Sequence, residues 1–381
     1  MACQLRRSSL STTLLLLVFL SPFVVLVRAA SVLGFQGRAL LHWKSTLRSP
    51  QLLASWNVDS SPCNWTGVAC NIARNGRLVI SEIQLPNMSL AGPLDALNFS
   101  AFRSLANLNL SYNQLNGNIP PTISALSNLV SLDLAANRFT GRIPVEIGSV
   151  RALQFLNLSQ NQISGPIPPS LSNLSRLTDM QLEKNMITDV IPEELGRLRK
   201  LTILDLWANQ LNGSIPPSLG NLTNLYMLEL AQNQLTGFIP RELGHLINLV
   251  HFSLSNNSLT GPIPSSVGNQ SKLEILYLWM NELSGSMPPE IGKLHQLTNL
   301  SLEVNKLSGQ IPPSIGISRN LIDLRLSYNH LSGPLPPEMN NITDMQRRSP
   351  TDPNAEQQQL PRSHSRNIEE LYEPKECSSA S

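Results

Sequence analysis

Ten asparagines recur every 24 residues without a slip: Asn113, Asn137, Asn161, Asn185, Asn209, Asn233, Asn257, Asn281, Asn305 and Asn329. A fixed period of this length marks stacked like units rather than a closed globule. It constrains the fold more than composition does. Every unit must follow the same backbone path and return the same amide to the same bend.

Aligned on that Asn, the apolar residues fall into columns. Leu stands eight residues before it in all ten repeats, from Leu105 to Leu321, and three before it, from Leu110 to Leu326. Two residues after it come Leu115, Phe139, Ile163 and Ile187, then Leu as far as Leu331. Pro stands seven after it throughout, from Pro120 to Pro336, and Gly four after it in all but one repeat, where Asp189 replaces it. The L-x-L piece predicts a short strand with one face in and one out. Gly supplies a turn conformation that most residues avoid, and Pro stops helix and fixes φ in the return arm. Pro in every unit and Gly in all but one exclude a run of amphipathic helices. The Asn amide both donates and accepts inside the bend, where backbone groups of adjacent coils need partners. An eleventh, looser copy precedes the ten, with Ile80, Ile83, Leu85, Leu90, Gly92 and Leu94 in the columns and Met88 in the Asn slot.

The unit L-x-x-L-x-L-x-x-N-x-L-x-G-x-I-P is identified as a leucine-rich repeat, and its L-x-G-x-I-P part resembles the plant-specific class. The resemblance implies an α/β solenoid wound as a right-handed superhelix, with a second, lateral strand in each coil.

Both ends add to this. Arg6 and Arg7 precede an apolar run over 14–27 that contains Pro22, and the small residues Ala29 and Ala30 follow. This predicts a signal peptide over 1–29, too short for a comfortable membrane span. Twelve N-x-S/T sequons fit a secretory route: Asn64, Asn87, Asn98, Asn109, Asn157, Asn173, Asn212, Asn221, Asn256, Asn269, Asn299 and Asn341. Cys63 and Cys70 are expected to form a local disulfide in an oxidising compartment, two ligands being too few for a zinc site. Cys377 is left over in the tail. The net charge of +2, with 14% charged residues, argues against a nucleic-acid protein.

The run Ala39-Leu40-Leu41-His42-Trp43-Lys44, then Leu53-Ala54-Ser55-Trp56, then Pro62-Cys63-Asn64-Trp65-Thr66-Gly67-Val68-Ala69-Cys70 resembles the N-terminal cap of plant leucine-rich-repeat receptor-like kinases. Such a cap covers the exposed apolar end of the first coil. The expected layout is a signal peptide at 1–29, a disulfide-bearing cap at 30–79, eleven repeats at 80–344 and a disordered polar tail at 345–381. No kinase motif, second long apolar run or cysteine-bearing C-terminal cap is found. The expectation is therefore a receptor ectodomain without its span and kinase, with an intact secreted protein as the competing organisation.

No catalytic constellation is present, and no enzyme, cofactor or metal is expected. Side chains six, four, two and one residues before each Asn are expected to face outward. Between the coils of Asn185 and Asn281 that face presents Asp179, Gln181, Glu183, Lys184, Ile203, Asp205, Trp207, Met227, Glu229, His251, Ile275, Tyr277, Trp279 and Met280. Exposed aromatic and apolar residues gathered on one face suggest an interaction site. The candidate ligand-binding set is Asp179, Glu183, Asp205, Trp207, Met227, Glu229, His251, Tyr277 and Trp279. Across ten repeats the face carries seven acids, Asp133, Asp179, Glu183, Asp205, Glu229, Glu303 and Asp323, against Lys184 and Arg325, a balance of −5. A basic partner would be steered there. Asn109, Asn157 and Asn299 are expected to project from the same face, so sugars on them would direct binding away to the middle coils. Asp189 is open between a local site and drift.

The resemblance implies an extracellular module that binds a secreted peptide or protein, with a leucine-rich-repeat co-receptor. It would act in the apoplast or cell wall, or on the outer face of the plasma membrane. The alternative is a secreted inhibitor of cell-wall-degrading enzymes resembling polygalacturonase-inhibiting proteins. Neither nucleic acid nor a membrane span in this chain is expected.

Overall fold

A computed structural model describes residues 32–73 and 75–341, with side chains through residue 339. The expected signal peptide, the tail, Ile342 and Cys377 lie outside the described residues.

One strand per coil builds a sheet of twelve. It starts in the cap, where Val68–Ile72 pairs antiparallel with Leu78–Gln84, and every later pairing is parallel. From Asn107–Asn109 to Asp323–Arg325 each strand has three residues and pairs in register with the strand 24 positions on, as Ile203 does with Met227 and Asp205 with Glu229. The period-2 alternation follows. Leu204 and Leu206 are fully buried, while Asp205 and Trp207 between and beyond them are half-buried on the other face.

The expected lateral strand is present. Asn212–Ser214, Gln234–Phe238 and four successors form one parallel sheet, and shorter sheets precede it. Asp189 takes φ 67°, against 71–79° for the glycines of the same column. It therefore keeps the left-handed turn that Asp tolerates better than most residues. The lateral sheet is interrupted beside it, with only the bridge Val190↔Asn212 across the gap.

The return arms have a definite form. They are 3-10 turns, such as Pro217–Asn221, and the α-helix among the described residues is the cap helix over 32–46. The column Pro, here Pro216, is the N-cap residue of the five-residue turn. A second glycine column sits in these turns and was not read from the sequence. A Cβ on Gly220 would lie 2.3 Å from the Glu242 carbonyl oxygen of the next coil, so only Gly admits that approach.

The ladder amides do what the bend requires, and they do it between coils. Asn209 Nδ2 donates to the Leu182 oxygen of the coil before (3.0 Å) and to Leu206 and Trp207 oxygens of its own (3.2 and 3.3 Å). Its Oδ1 accepts the Ile187 N–H, again of the coil before (3.0 Å). The same pattern runs from Asn113 to Asn329. Each Asn reaches backward, which explains Met88: its coil has only the cap behind it. The residue before each ladder Asn, from Tyr112 to Tyr328, has φ between 50° and 55° although none is Gly.

In the cap, Trp56 stacks on Trp65 with centroids 5.5 Å apart and meets Trp43 at 6.3 Å. Cys63 and Cys70 are bonded, as expected. Gln36, 1% exposed, ties the cap helix to the first coils by donating to the Ala101 oxygen (3.0 Å) and accepting the Ile80 N–H (2.9 Å).

At the far end, Leu326 and Leu331 are half-buried and Leu335 is 65% exposed, whereas Leu206 and Leu211 inside the stack are fully buried. Amide hydrogen exchange is expected to show the Asn329 coil opening first and the Asn209 coil last. Equal protection of the two would contradict this.

Candidate functional site

Register places the candidate residues on one continuous face. Residues four before each Asn form a file running Asn157, Gln181, Asp205, Glu229, Ser253 and Tyr277 across paired strands. Beside it, two before each Asn, lie Glu183, Trp207 and Trp279. The Lys184 ammonium stands 4.8 Å from the centre of the Trp207 ring, within cation–π range. His251 Nε2 is 2.8 Å from Glu229 Oε2, and its ring meets Tyr277 edge-on at 6.2 Å. The structure therefore groups Glu183, Lys184, Asp205 and Trp207 on one side and Glu229, His251 and Tyr277 on the other. Met227 and Trp279 are half-buried on the same face.

Asp179 is corrected. It was expected to face a ligand, but it is 1% exposed, hydrogen-bonded to the Thr178 hydroxyl (2.5 Å) and paired in register with Phe155 and Ile203. Alternation put it on the strand face, but there it is buried between the strands that carry Phe155 and Ile203. The sequons on this face have local partners. Asn109, Asn157 and Asn299 are half-buried with their Oδ1 atoms already accepting from Ser111 N–H, Ser159 N–H and the Thr298 hydroxyl. Asn64, Asn87, Asn98, Asn173, Asn212, Asn221 and Asn269 are the exposed ones, and Asn256 is half-buried.

The acids have a local role that composition did not show. Asp133, Asp205 and Glu229 each accept the backbone N–H two residues on, at Ala135, Trp207 and Ala231 (3.0 Å each). Asn109 and Asn157 make the same bond in their coils without a charge. The charge is thus surplus to the structural role. Arg325 lies against Asp323 (3.0 Å) and Glu303 (3.7 Å), which leaves the middle coils as the acidic stretch. Burial raises the carboxyl pKa of Asp133 and of Glu183. Asp205 is raised well above its ordinary value, first by burial and then by the neighbouring Glu183 and Glu229 charges, with the Trp207 N–H and Lys184 opposing. Glu183 Oε2 is buried with no hydrogen-bond partner among the described residues.

A raised folded-state pKa means the folded state holds the proton more tightly than the unfolded chain. Stability is then lost as pH rises from the ordinary 3.8 through the folded value, and is flat above it. Asp205→Asn keeps the Oδ1 acceptor for Trp207 N–H and removes the charge. It should therefore melt higher than the parent at pH 7, and the difference should shrink as pH falls through the raised folded value and be gone below about 4. A variant that melts lower at pH 7 would refute this reading of the cluster.

The chain matches the family described as Leucine rich repeat N-terminal domain over residues 33–71. It matches the Leucine rich repeat families over 103–163, 151–211 and 199–259, and over 272–294, 296–317 and 320–342. It is 49% identical over 90 residues to the LRR receptor-like serine/threonine-protein kinase RGI3 of Arabidopsis thaliana, which covers 23% of this chain and 8% of that one. Among solved structures it resembles the Arabidopsis receptor kinase HAESA in complex with the peptide hormone IDA and the co-receptor SERK1. The TM-score is 0.63 at 34% identity, covering 78% of this chain and 54% of that one. A plant ice-binding protein is similar at TM-score 0.60 and 29% identity, covering 79% and 88%. The chain thus spans about half of the receptor ectodomain and a small part of the kinase relative. Cap, repeat and strand geometry agree with these matches, and the chain belongs to the leucine-rich-repeat family, with the cap-and-repeat architecture of plant receptor-kinase ectodomains.

Proposed function

We propose that the chain is an extracellular recognition module that binds a secreted peptide of basic character along its strand face, between the coils of Asn185 and Asn281. The observation that carries this is the arrangement of Glu183, Asp205 and Glu229, buried enough to raise two of their carboxyl pKa values and flanked by Trp207 and Tyr277. A Lys or Arg side chain arriving there would relieve mutual repulsion, while the aromatic rings supply area. The HAESA complex, in which a like solenoid holds a peptide hormone and a co-receptor, supports the same use of the fold and a leucine-rich-repeat co-receptor as second partner. A secreted inhibitor of wall-degrading enzymes is not favoured by these relatives. The likeness to an ice-binding protein is one of fold. The file two residues before each Asn runs Ser159, Glu183, Trp207, Ala231, Ser255 and Trp279, which is varied as a specific ligand requires. The proposed setting is the outer face of the plasma membrane or the wall, with glycans on the seven exposed sequons.

Peptide display against the glycosylated protein tests this. Selected peptides should be enriched in Lys and Arg, and their binding should weaken as salt rises. Selection of acidic peptides, or of peptides that bind equally after Glu183→Gln and Glu229→Gln together, would remove the proposal.

A further inference from the structure

The strand face carries an acidic balance although the whole chain is at +2, so bases must gather elsewhere. They gather on the outer edge that leads into the strands, nine to twelve residues before each ladder Asn. Over the six coils from Asn185 to Asn305 these positions hold Arg176, Arg197, Arg199, Lys200, Lys272 and Lys293, and neither Asp nor Glu. All six are exposed. Among the described residues, the ion pairs fall on other side chains.

Between this edge and the column seven residues before each Asn, where Glu274 is the one acid over the same coils, lies an open groove of about 660 Å³, lined among others by Thr202, Asn224, Tyr226 and Asn248 between Lys200 and Lys272. Tyr226 is 47% exposed, so much of its ring is open to solvent. The amides beside it are fixed. Asn224 Nδ2 donates to the Arg199 oxygen (2.7 Å) and Asn248 Nδ2 to the Thr223 oxygen (2.8 Å). Lys272 Nζ is held by Asn248 Oδ1 (2.8 Å). Asn224 Oδ1 has no protein donor among the described residues and can accept a ligand hydroxyl.

We propose that this edge binds an acidic polysaccharide, a linear chain of uronate sugars. Carboxylates would meet Lys200 and Lys272, and one sugar ring would lie on Tyr226. An aromatic ring between fixed amides suits a sugar, whose ring carries an apolar C–H face and hydroxyls around its rim. A membrane or a nucleic acid would be held here mainly by charge and would leave the ring and amides without a role. Coils step by about 4.8 Å, close to the length of one sugar ring, so successive sugars can follow successive coils. The acidic strand face repels the same polymer, which keeps the two surfaces separate in what they hold.

The test is binding of the full chain to polygalacturonate, to its fully methyl-esterified form, to duplex DNA and to phosphatidylserine vesicles. Salt is varied, and all measurements are repeated on Asn221→Gln, because that sequon stands beside the groove. Polygalacturonate should bind in a salt-sensitive way and the esterified polymer should not. Lys200→Glu with Lys272→Glu should weaken binding about tenfold or more, since two exposed contacts become repulsive. Tyr226→Ala should weaken it about threefold to tenfold with the salt dependence unchanged. These side chains are exposed, and unchanged melting curves would confirm that folding is intact. Equal binding of the esterified polymer, full binding by the charge-reversed variant, or tighter binding of DNA or vesicles than of polygalacturonate would overturn the proposal.

Discussion

Asn209→Leu should destabilise the protein by about 3–5 kcal/mol in urea unfolding, more than its size-matched shape would suggest. The amide holds four backbone groups, and they do not suffer equally. The carbonyls keep another donor each: Leu182 from Asn185, Leu206 from Asn233 and Trp207 from Lys184 N–H. The Ile187 N–H accepts no such rescue, since Asn209 Oδ1 is its partner. An orphaned buried donor costs about 1–3 kcal/mol, and the three carbonyls, each of which keeps a donor, add about 0.5–1.5 together. Ala208, at φ 54°, also loses the bend that holds it in the left-handed region, where L-residues are disfavoured by about 1–2 kcal/mol. Because the loss lies between two coils, it should reduce cooperativity as well as midpoint. Asn113→Leu, next to the cap, serves as comparison. A cost below about 1 kcal/mol for Asn209→Leu would show that water replaces the amide and that the ladder is not what joins the coils.

The second large effect separates stability from recognition on adjacent residues. Leu206 is fully buried, and Leu206→Ala should cost about 2–5 kcal/mol through the cavity left between coils. Trp207 is half-buried on the other face, beside the Lys184 ammonium, and no hydrogen bond of its indole is found among the described residues. Trp207→Ala should change stability by about 1 kcal/mol or less yet weaken a selected peptide by about 2 kcal/mol, roughly thirtyfold. Melting curves and titrations on both variants read the two quantities separately. If Trp207→Ala unfolds the protein as Leu206→Ala does, the assignment of faces is wrong and the proposed site fails with it.

The strand face was legible because three local facts define it: a period of 24, a Leu alternation and a bend residue. Side-chain direction along a strand follows from alternation alone, so Glu183, Asp205, Trp207, Glu229, His251, Tyr277 and Trp279 fell on the right surface. The burial of Asp179 was not legible, because burial depends on what the adjacent strands carry, and Phe155 and Ile203 are 24 residues away on either side. The acceptor role of Asp205 and Glu229 toward their own backbone was missed for a different reason. It needs the strand to end in a bend at a fixed place, which shows only once the backbone is closed.

The sequence by itself determined the unit, its number, its strand and the backbone sign at the glycine column, since these rest on sterics and hydrophobic alternation within one coil. Only the tertiary structure decided how coils are joined. The ladder amides reach into the coil before them, and Gly220 admits the coil after it. The gap in the lateral sheet at Asp189 and the groove at Tyr226 arise in the same way. Each of these pairs atoms about 24 residues apart, and stacking alone brings such atoms within reach.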